Sequence, residues 1–251
     1  MGLNKSSGNM YEWISHMWSP ITGCEHQCSY CYTRKYRTLS ETPKLIFPFP
    51  NLGENRTIFV GHMCDMFASN VPHDWIMAIL YYCRLFPNNR YVFQTKNPRS
   101  FFDLLLDEQC YLESLRRILP EKLIIGTTIE TNRADLLATF SKAPSPQSRA
   151  NAMAGLKSKT ETDKLGDKVV DFGGDLGYIE KFVTVEPIMD FDVNELVDLL
   201  VLAKPTFVNI GADSKGHNLP EPTRAKVDLL VQAIMDKGIE IRKKVNLDRL
   251  Q

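Results

Sequence analysis

The sequence predicts an α/β fold in which about six to seven parallel strands form a wound sheet or a partial (β/α) barrel. Short apolar runs rich in β-forming residues recur along the 251-residue chain and alternate with segments of helical periodicity. The runs are almost continuously apolar, which is typical of strands buried on both faces of a parallel sheet. About seven such runs fall short of the eight strands of a closed barrel.

The first strand is expected around residues 11–18, directly before a cysteine-rich loop, and the next ones at 57–60, 90–93, 122–125, 181–185, 206–210 and 239–241. Helical periodicity predicts helices within 72–85, 99–119, 194–203 and 223–237, the last ended by Gly238. The segment 141–177 is rich in Ser, Lys, Gly, Ala and Pro and is interpreted as an insertion or mobile loop. The whole chain, 1–251, is otherwise expected to be a single domain.

Composition limits the classes of function. Lys plus Arg equals Asp plus Glu at 30 each, so no global field attracts nucleic acid or a membrane. The sequence contains no apolar run as long as a membrane span and no apolar signal segment near its start, so a cytoplasmic location is expected. In that reducing compartment the six cysteines indicate metal binding or catalysis before disulfides.

Cys24, Cys28 and Cys31 lie in one short loop with the spacing Cys-x3-Cys-x2-Cys. Three thiolates so close in sequence can hold one face of a 4Fe–4S cluster and leave the fourth iron open. Two alternatives remain: a zinc site completed by His26 or His16, and three unrelated free cysteines. A structural zinc site usually draws its ligands from two separated pairs, and no second Cys-x2-Cys or His-x3-His follows here.

Polar residues follow the predicted strands, at the points where ligands bind in parallel α/β folds. Because these positions meet at one end of a sheet, we expect a single active site there. Besides the cysteines, the candidates are His62, Cys64, Asp65, Thr95, Lys96, Thr128, Glu130, Glu186, Asn209, Asp213 and Lys244.

The cysteine spacing, with Tyr30 just before the last cysteine, resembles the signature of the radical SAM superfamily. Further segments resemble a phage- and prophage-associated radical SAM family whose members mostly lack an assigned function; they are residues 18–24, 59–67, 71–75, 93–98, 126–130 and 185–187. That family usually ends in an aromatic-rich strand and a Lys-Gln-Trp-Gly motif. This chain keeps Lys244 but lacks the aromatic residues, so its substrate is expected to differ.

The resemblance implies a partial (β/α) barrel with a 4Fe–4S cluster on Cys24, Cys28 and Cys31. S-adenosylmethionine (SAM) would chelate the open iron, and one electron from a flavodoxin- or ferredoxin-type donor would cleave it to a 5′-deoxyadenosyl radical that abstracts hydrogen from a substrate. Tyr30 would flank the adenine. Thr128 and Glu130 would contact the ribose or methionine part of SAM.

Other roles follow from residue type and position. Lys96 is suited to pair with the SAM carboxylate or a substrate phosphate, and Glu186 to bind SAM or orient the substrate. Cys64 is a candidate hydrogen-atom donor, the alternative being an inert buried thiol. Asp65 is suited to the SAM ammonium, the alternative being a helix cap or solvated turn. His62, Thr95, Asn209 and Asp213 complete the expected cofactor and substrate contacts.

The phage-like resemblance makes a nucleotide or a modified DNA base the candidate substrate, for instance in the rearrangement of an amino-acid adduct on thymine. Residues 34–37, and Lys96 with Arg99, are candidate phosphate contacts, the alternative being a solvated face. Two competing functions remain: a zinc-stabilised binding module without catalysis, and a non-catalytic nucleic-acid-binding protein. Zero net charge and the lack of a stripe of aromatic and basic residues argue against the latter.

Overall fold

A computed structural model describes residues 2–8, 10–35, 40–106, 119–156 and 179–250. Their ten strands are β1 (Asn4–Lys5), β2 (His16–Trp18), β3 (Ile21–Thr22), β4 (Lys44–Leu45), β5 (Thr57–Val60), β6 (Arg90–Thr95), β7 (Leu123–Thr128), β8 (Glu180–Val185), β9 (Phe207–Ile210) and β10 (Glu240–Lys243). The described α-helices are α1 (His73–Arg84), α2 (Pro98–Leu106), α3 (Ala134–Phe140), α4 (Pro146–Gly155), α5 (Val193–Ala203) and α6 (Arg224–Asp236). Short 3-10 helices span Tyr32–Lys35 and Val245–Arg249.

Eight strands form one sheet in the order β1-β2-β5-β6-β7-β8-β9-β10. The pairings from β2 through β10 are all parallel, and only β1 runs antiparallel to its neighbour. Strands β3 and β4 form a separate antiparallel pair that flanks the cysteine loop. The prediction of about six to seven parallel strands is therefore confirmed, with β2 as the first of seven.

Alternate residues of each strand enter two different cores, because side chains point to opposite faces of a sheet. Tyr91, Phe93, Val183 and Val185 pack with the helices in the main core. Val92, Ile124, Phe182 and Phe207 face the other way and pack with Tyr11 and Ile14 in a second core on the inner face of the sheet. The helices thus cover the outer face of the sheet, and a site can form on its inner face.

The segment 141–177 begins differently from its prediction as a loop. Residues 146–155 form α4, which starts with Pro146 and is capped by Ser145, whose Oγ accepts a hydrogen bond from the Ser148 backbone N–H. This helix has few large apolar residues and therefore shows no apolar stripe in the sequence, yet Ala150 and Met153 are fully buried. Residues 157–178 lie outside the described residues, as do 107–118 of the predicted helical region 99–119.

Helix α3, strand β1 and the β3–β4 pair were not predicted from the sequence, because each is too short to show a period. None of the helices in the described ranges is both long and apolar enough to cross a membrane.

Candidate active site

Two layers of side chains lie on the inner face of the sheet. An aromatic layer lies farther from the carboxyl ends of the strands, and a polar layer lies nearer to them. Phe182 stacks on Phe207, and the edge of each ring meets Trp13, which lies parallel to Tyr11. Glycine at position 126 is required here, because a Cβ would lie 2.3 Å from the Phe182 ring.

The polar layer comes next on this face, toward the carboxyl ends of the same strands. The Tyr11 hydroxyl donates to Gln94 Oε1 at 2.8 Å and lies 2.7 Å from Thr184 Oγ1. Gln94 Nε2 donates to Thr128 Oγ1 at 2.9 Å, and Asn209 Nδ2 reaches Thr184 Oγ1 at 3.4 Å. Thr128 and Asn209, both predicted site residues, are thus joined in one network, and Tyr11 is a member that the sequence did not indicate.

Four side chains meet beyond the ends of β6 and β7. Tyr30 donates from its hydroxyl to Glu130 Oε1 at 2.6 Å, and Lys96 Nζ donates to the same carboxylate oxygen and to the Tyr30 hydroxyl. Arg149 Nη1 donates to Glu130 Oε2 at 2.8 Å. Lys96 Nζ also lies 5.0 Å from the centre of the Tyr30 ring, within cation–π range. Three predicted residues therefore come together with one that was not predicted.

Burial and charge act in opposite directions on this cluster. Burial would raise the pKa of Glu130, but the charges of Lys96 and Arg149 lower it to about 2. Burial, followed by the negative charge of Glu130, raises the pKa of Tyr30 well above its usual range. The cluster therefore consists of an ionised carboxylate, a protonated phenol and two cations.

The cysteine loop lies at the same end of the sheet. It contacts the end of α3 and the residues that follow: the Ser29 backbone N–H donates to the Phe140 carbonyl at 2.8 Å, and the Lys142 backbone N–H donates to the His26 carbonyl at 2.7 Å. His26 Nε2 donates to Asp65 Oδ2 at 2.8 Å, which fixes the loop against the end of β5.

Each cysteine sulfur of the loop has its own hydrogen-bond partner. Cys28 Sγ lies 3.1 Å from Ser141 Oγ, and Cys31 Sγ lies 3.0 Å from Thr33 Oγ1. Backbone N–H groups of His26 and Asp65 donate to Cys24, although burial raises the pKa of this thiol to about 12. Hydrogen bonds to the sulfurs are a feature of protein iron–sulfur sites, so the donor set fits a cluster.

In the described part of the chain, no three His, Cys, Asp or Glu side chains are close enough to share one metal ion. Each cysteine of a 4Fe–4S site binds a different iron, so its sulfurs lie farther apart than the ligands of one ion. His26, a fourth ligand in the zinc alternative, contacts Asp65 through Nε2, so its Nδ1 is the ring nitrogen that would remain for a metal.

Asp65 is buried and surrounded by donors. Its carboxylate accepts from His26, from the Lys96 backbone N–H at 2.7 Å and the Phe67 backbone N–H at 3.0 Å, and from the Thr95 hydroxyl. Burial would raise its pKa, but these partners lower it. A carboxylate has about four lone-pair positions, so none is left for the SAM ammonium predicted from the sequence. Thr95 likewise has a structural contact, since its Oγ1 accepts from the Asn97 backbone N–H at 2.8 Å.

Glu186 and Lys244 form a second ion pair on the other half of the same end, with Lys244 Nζ 2.8 Å from Glu186 Oε2. Asn246 Nδ2 donates to Glu186 Oε1 at 3.3 Å, and Lys244 lies 4.7 Å from the centre of the Tyr11 ring. A Cβ at position 211 would lie 2.7 Å from the Glu186 carboxyl carbon, so Gly211 leaves the space that Glu186 occupies.

The other predicted residues lie at the edge of this arrangement. Asp213 holds its own loop, with His217 Nδ1 2.6 Å from its Oδ1 and the Lys215 backbone N–H 3.0 Å from the same oxygen. His62 Nδ1 lies 2.8 Å from Ser19 Oγ, and burial lowers the pKa of His62. Cys64 is half-buried against the main core. Tyr36 and Arg37 lie outside the described residues.

Sequence reasoning missed Arg149, Ser141 and Tyr11, and it named His26 only as a possible zinc ligand and not as the partner of Asp65. The signal for His26 was present, since it lies between two of the cysteines. Arg149 and Ser141 gave no signal, because they belong to the polar segment interpreted as a loop.

A family model and several solved structures are similar to this chain. The family model described as "Protein of unknown function (DUF5131)" matches residues 35–144. No curated protein sequence matches the chain significantly.

Several solved structures share the fold. A variant of spore photoproduct lyase superposes with a TM-score of 0.61 and 13% identity, over 94% of this chain and 79% of the lyase. A variant of that lyase with bound AdoMet and dinucleoside spore photoproduct superposes with a TM-score of 0.51 and 13% identity, over 90% of this chain and 62% of the lyase. Streptococcus suis SuiB bound to S-adenosylmethionine superposes with a TM-score of 0.53 and 9% identity, over 91% of this chain and 49% of SuiB. At these identities the likeness establishes the fold, which is the partial barrel of radical SAM enzymes.

Proposed function

We propose that this chain is a radical SAM enzyme that removes a hydrogen atom from a nucleotide or a modified DNA base. The observation that carries the proposal is the position of the three-cysteine loop, directly beside the Tyr30–Lys96–Glu130 cluster at the carboxyl end of the sheet. Likeness of fold to SAM-bound structures supports it. The cysteine spacing alone allowed zinc, whereas a loop beside a buried polar cluster at the carboxyl ends of the strands favours a catalytic site.

Cys24, Cys28 and Cys31 would hold the cluster. When bound, the cluster and SAM supply the one-electron cleavage that yields methionine and a 5′-deoxyadenosyl radical. The chain itself supplies position and charge. Tyr30 lies beside the last cysteine and stays protonated against Glu130, while Lys96 presents an ammonium group toward an anionic part of the ligand.

The Glu186–Lys244 pair and the polar layer would meet the substrate. Both ionic side chains are largely buried, with side-chain exposures of 15% for Glu186 and 14% for Lys244, and Lys244 lies over the Tyr11 ring. Donors and acceptors grouped in this way suit the edge of a base or nucleoside. The dinucleoside bound by the spore photoproduct lyase variant supports this choice of substrate class.

The first experiment is anaerobic purification with iron and sulfide analysis. We expect a brown protein with about four irons and four sulfides per chain. Cys24→Ala, Cys28→Ala and Cys31→Ala should each lose the cluster, because three thiolates leave no spare ligand. Cys83→Ala is the matched control, since Cys83 is buried in α1 within the main core. A colourless protein with one equivalent of zinc would contradict the proposal.

The second experiment measures turnover. Reduced, cluster-loaded protein with SAM should form 5′-deoxyadenosine slowly, and faster when an oligonucleotide with a modified thymine is added, because the true substrate positions the target C–H bond. If methylated product and S-adenosylhomocysteine form instead, the enzyme is a methyltransferase and the proposal is wrong. If 5′-deoxyadenosine forms but no nucleotide accelerates it, only the substrate class is wrong.

A further inference from the structure

Arg149 is a fully buried cation with a specific set of contacts. Its Nη1 donates to Glu130 Oε2 and to the Thr128 carbonyl, each at 2.8 Å, and its Nε donates to the Pro144 carbonyl at 2.7 Å. Its Nη2 is buried and has no hydrogen-bond partner within the described ranges. Removing the charge of an arginine from water is costly, so a fully buried arginine needs compensating contacts.

Charge counting in the cluster gives a reason for the buried arginine. Lys96 and Arg149 carry two positive charges against the single negative charge of Glu130. Side-chain exposure is 0% for both Arg149 and Glu130 but 18% for Lys96. The surplus positive charge is therefore accessible only through Lys96, among these three side chains.

We propose that Arg149 is a positioning residue that neutralises Glu130, so that the charge of Lys96 remains available to an anionic group of the ligand. Without Arg149, Lys96 and Glu130 would form a closed ion pair with no net charge. The anionic group is a carboxylate or a phosphate, supplied by SAM or by the substrate. This inference rests on the proposed function for the SAM source but not for the phosphate source.

The contacts of the segment that carries Arg149 support the inference. Residues 140–142 touch the cysteine loop through Phe140, Ser141 and Lys142, and Arg149 lies on the helix that follows directly. One continuous segment thus contacts both the expected cluster ligands and the expected cofactor charge site.

The test uses equilibrium binding to cluster-loaded protein, with SAM, decarboxylated SAM and inorganic pyrophosphate as ligands. Arg149→Met keeps the side-chain volume and removes the charge. We expect it to weaken binding of the anionic ligand by about tenfold or more. Arg149→Met combined with Glu130→Gln restores a net positive charge at Lys96, so this double variant should return to within about threefold of wild type. Arg224→Met is the control, since Arg224 pairs with Asp228 and Asp248 on the surface.

The pattern across ligands identifies the source of the anion. If Arg149→Met binds SAM more weakly than wild type does but binds decarboxylated SAM equally well, the anion is the SAM carboxylate. If only the binding of pyrophosphate is weaker in this variant, the anion is a substrate phosphate. The inference is overturned if Arg149→Met binds every ligand as wild type does, or if the double variant is as weak as the single one. If Arg149→Met fails to fold, the double variant alone decides by the same criterion. If wild-type protein does not bind SAM, the proposed function fails, and the pyrophosphate measurements still decide the role of Arg149.

Discussion

Glu130 is a fully buried carboxylate whose oxygens accept from Tyr30, Lys96 and Arg149. We expect Glu130→Gln to lower the free energy of unfolding by about 3–5 kcal/mol, because it leaves two cations without their counter-charge in a desolvated site. Urea unfolding of the metal-free protein measures this. Glu240→Gln is the matched control, since Glu240 is 56% exposed and a surface ion pair contributes little. A loss below about 1 kcal/mol would show that water reaches the cluster.

The same residue predicts a pH dependence. Its pKa in the folded protein is about 2, below the ordinary value of 4.5, so its contribution to stability is complete above pH 4.5 and is lost as the pH falls toward 2. The full contribution is on the order of 3 kcal/mol. We therefore expect the stability difference between wild type and Glu130→Gln to be constant from pH 7 to 5 and to shrink below that. A difference that stays the same down to pH 3 would contradict this assignment.

Helix α4 connects local stability with the site. Its cap, Ser145, and the cap of α6, Thr223, each accept a hydrogen bond from a backbone N–H of the first turn. Ser145→Ala and Thr223→Ala should each cost about 1 kcal/mol in the free energy of unfolding. Only Ser145→Ala should also weaken ligand binding, because α4 carries Arg149. Equal binding by both variants would show that the contacts of Arg149 hold without the cap.

Strand β7 contains a glycine where the aromatic layer requires one. A methyl group at position 126 would displace the Phe182 ring, so Gly126→Ala should lower the free energy of unfolding by about 1–3 kcal/mol. Gly2→Ala is the control, since its Cβ would have no neighbour within 4 Å. Combining Gly126→Ala with Phe182→Leu should cost less than the sum of the single changes, because leucine frees the space. Additive costs would place the damage elsewhere.

Elements were predictable to the extent that their burial leaves a period in the sequence. Strands such as β6 and β8 are buried on both faces and read as continuous apolar runs. Helix α4 is packed through small residues and an arginine, so its burial leaves no apolar stripe. For the same reason Arg149 was missed, although Lys96 and Glu130, its partners at strand ends, were predicted.

The topology of the main sheet was predictable, because the order of its strands follows their order in the chain from β2 to β10. The short β3–β4 pair lies outside this sheet. A parallel sheet then brings every strand end to one side, which is why Tyr30, Lys96 and Glu130 converge as expected. The contact of Asp65 with His26 was not predictable in this way, because it depends on the path of the cysteine loop. Its neighbour His26 comes from a distant part of the chain.

Charge balance at the scale of the molecule gives a prediction for DNA. Positive and negative side chains are equal at 30 each, so unmodified duplex DNA should bind weakly, with a Kd no tighter than the ordinary non-specific range of about 10⁻⁴ to 10⁻⁶ M at physiological salt. Fluorescence anisotropy at two salt concentrations measures this. Nanomolar binding to unmodified duplex would indicate a strong local basic surface. It would revive the non-catalytic nucleic-acid-binding function.

The aromatic layer of Tyr11, Trp13, Phe182 and Phe207 fills the interior of the barrel below the polar network. Under the proposed function, and as far as the described residues go, cofactor and substrate would then share a doorway at the carboxyl ends of the strands. A substrate as bulky as an oligonucleotide would seal a smaller molecule beneath it. Turnover would consequently follow a compulsory sequence, in which SAM is the first to arrive and its fragments are the last to depart. Excess oligonucleotide would slow the enzyme by occupying the doorway before SAM had entered.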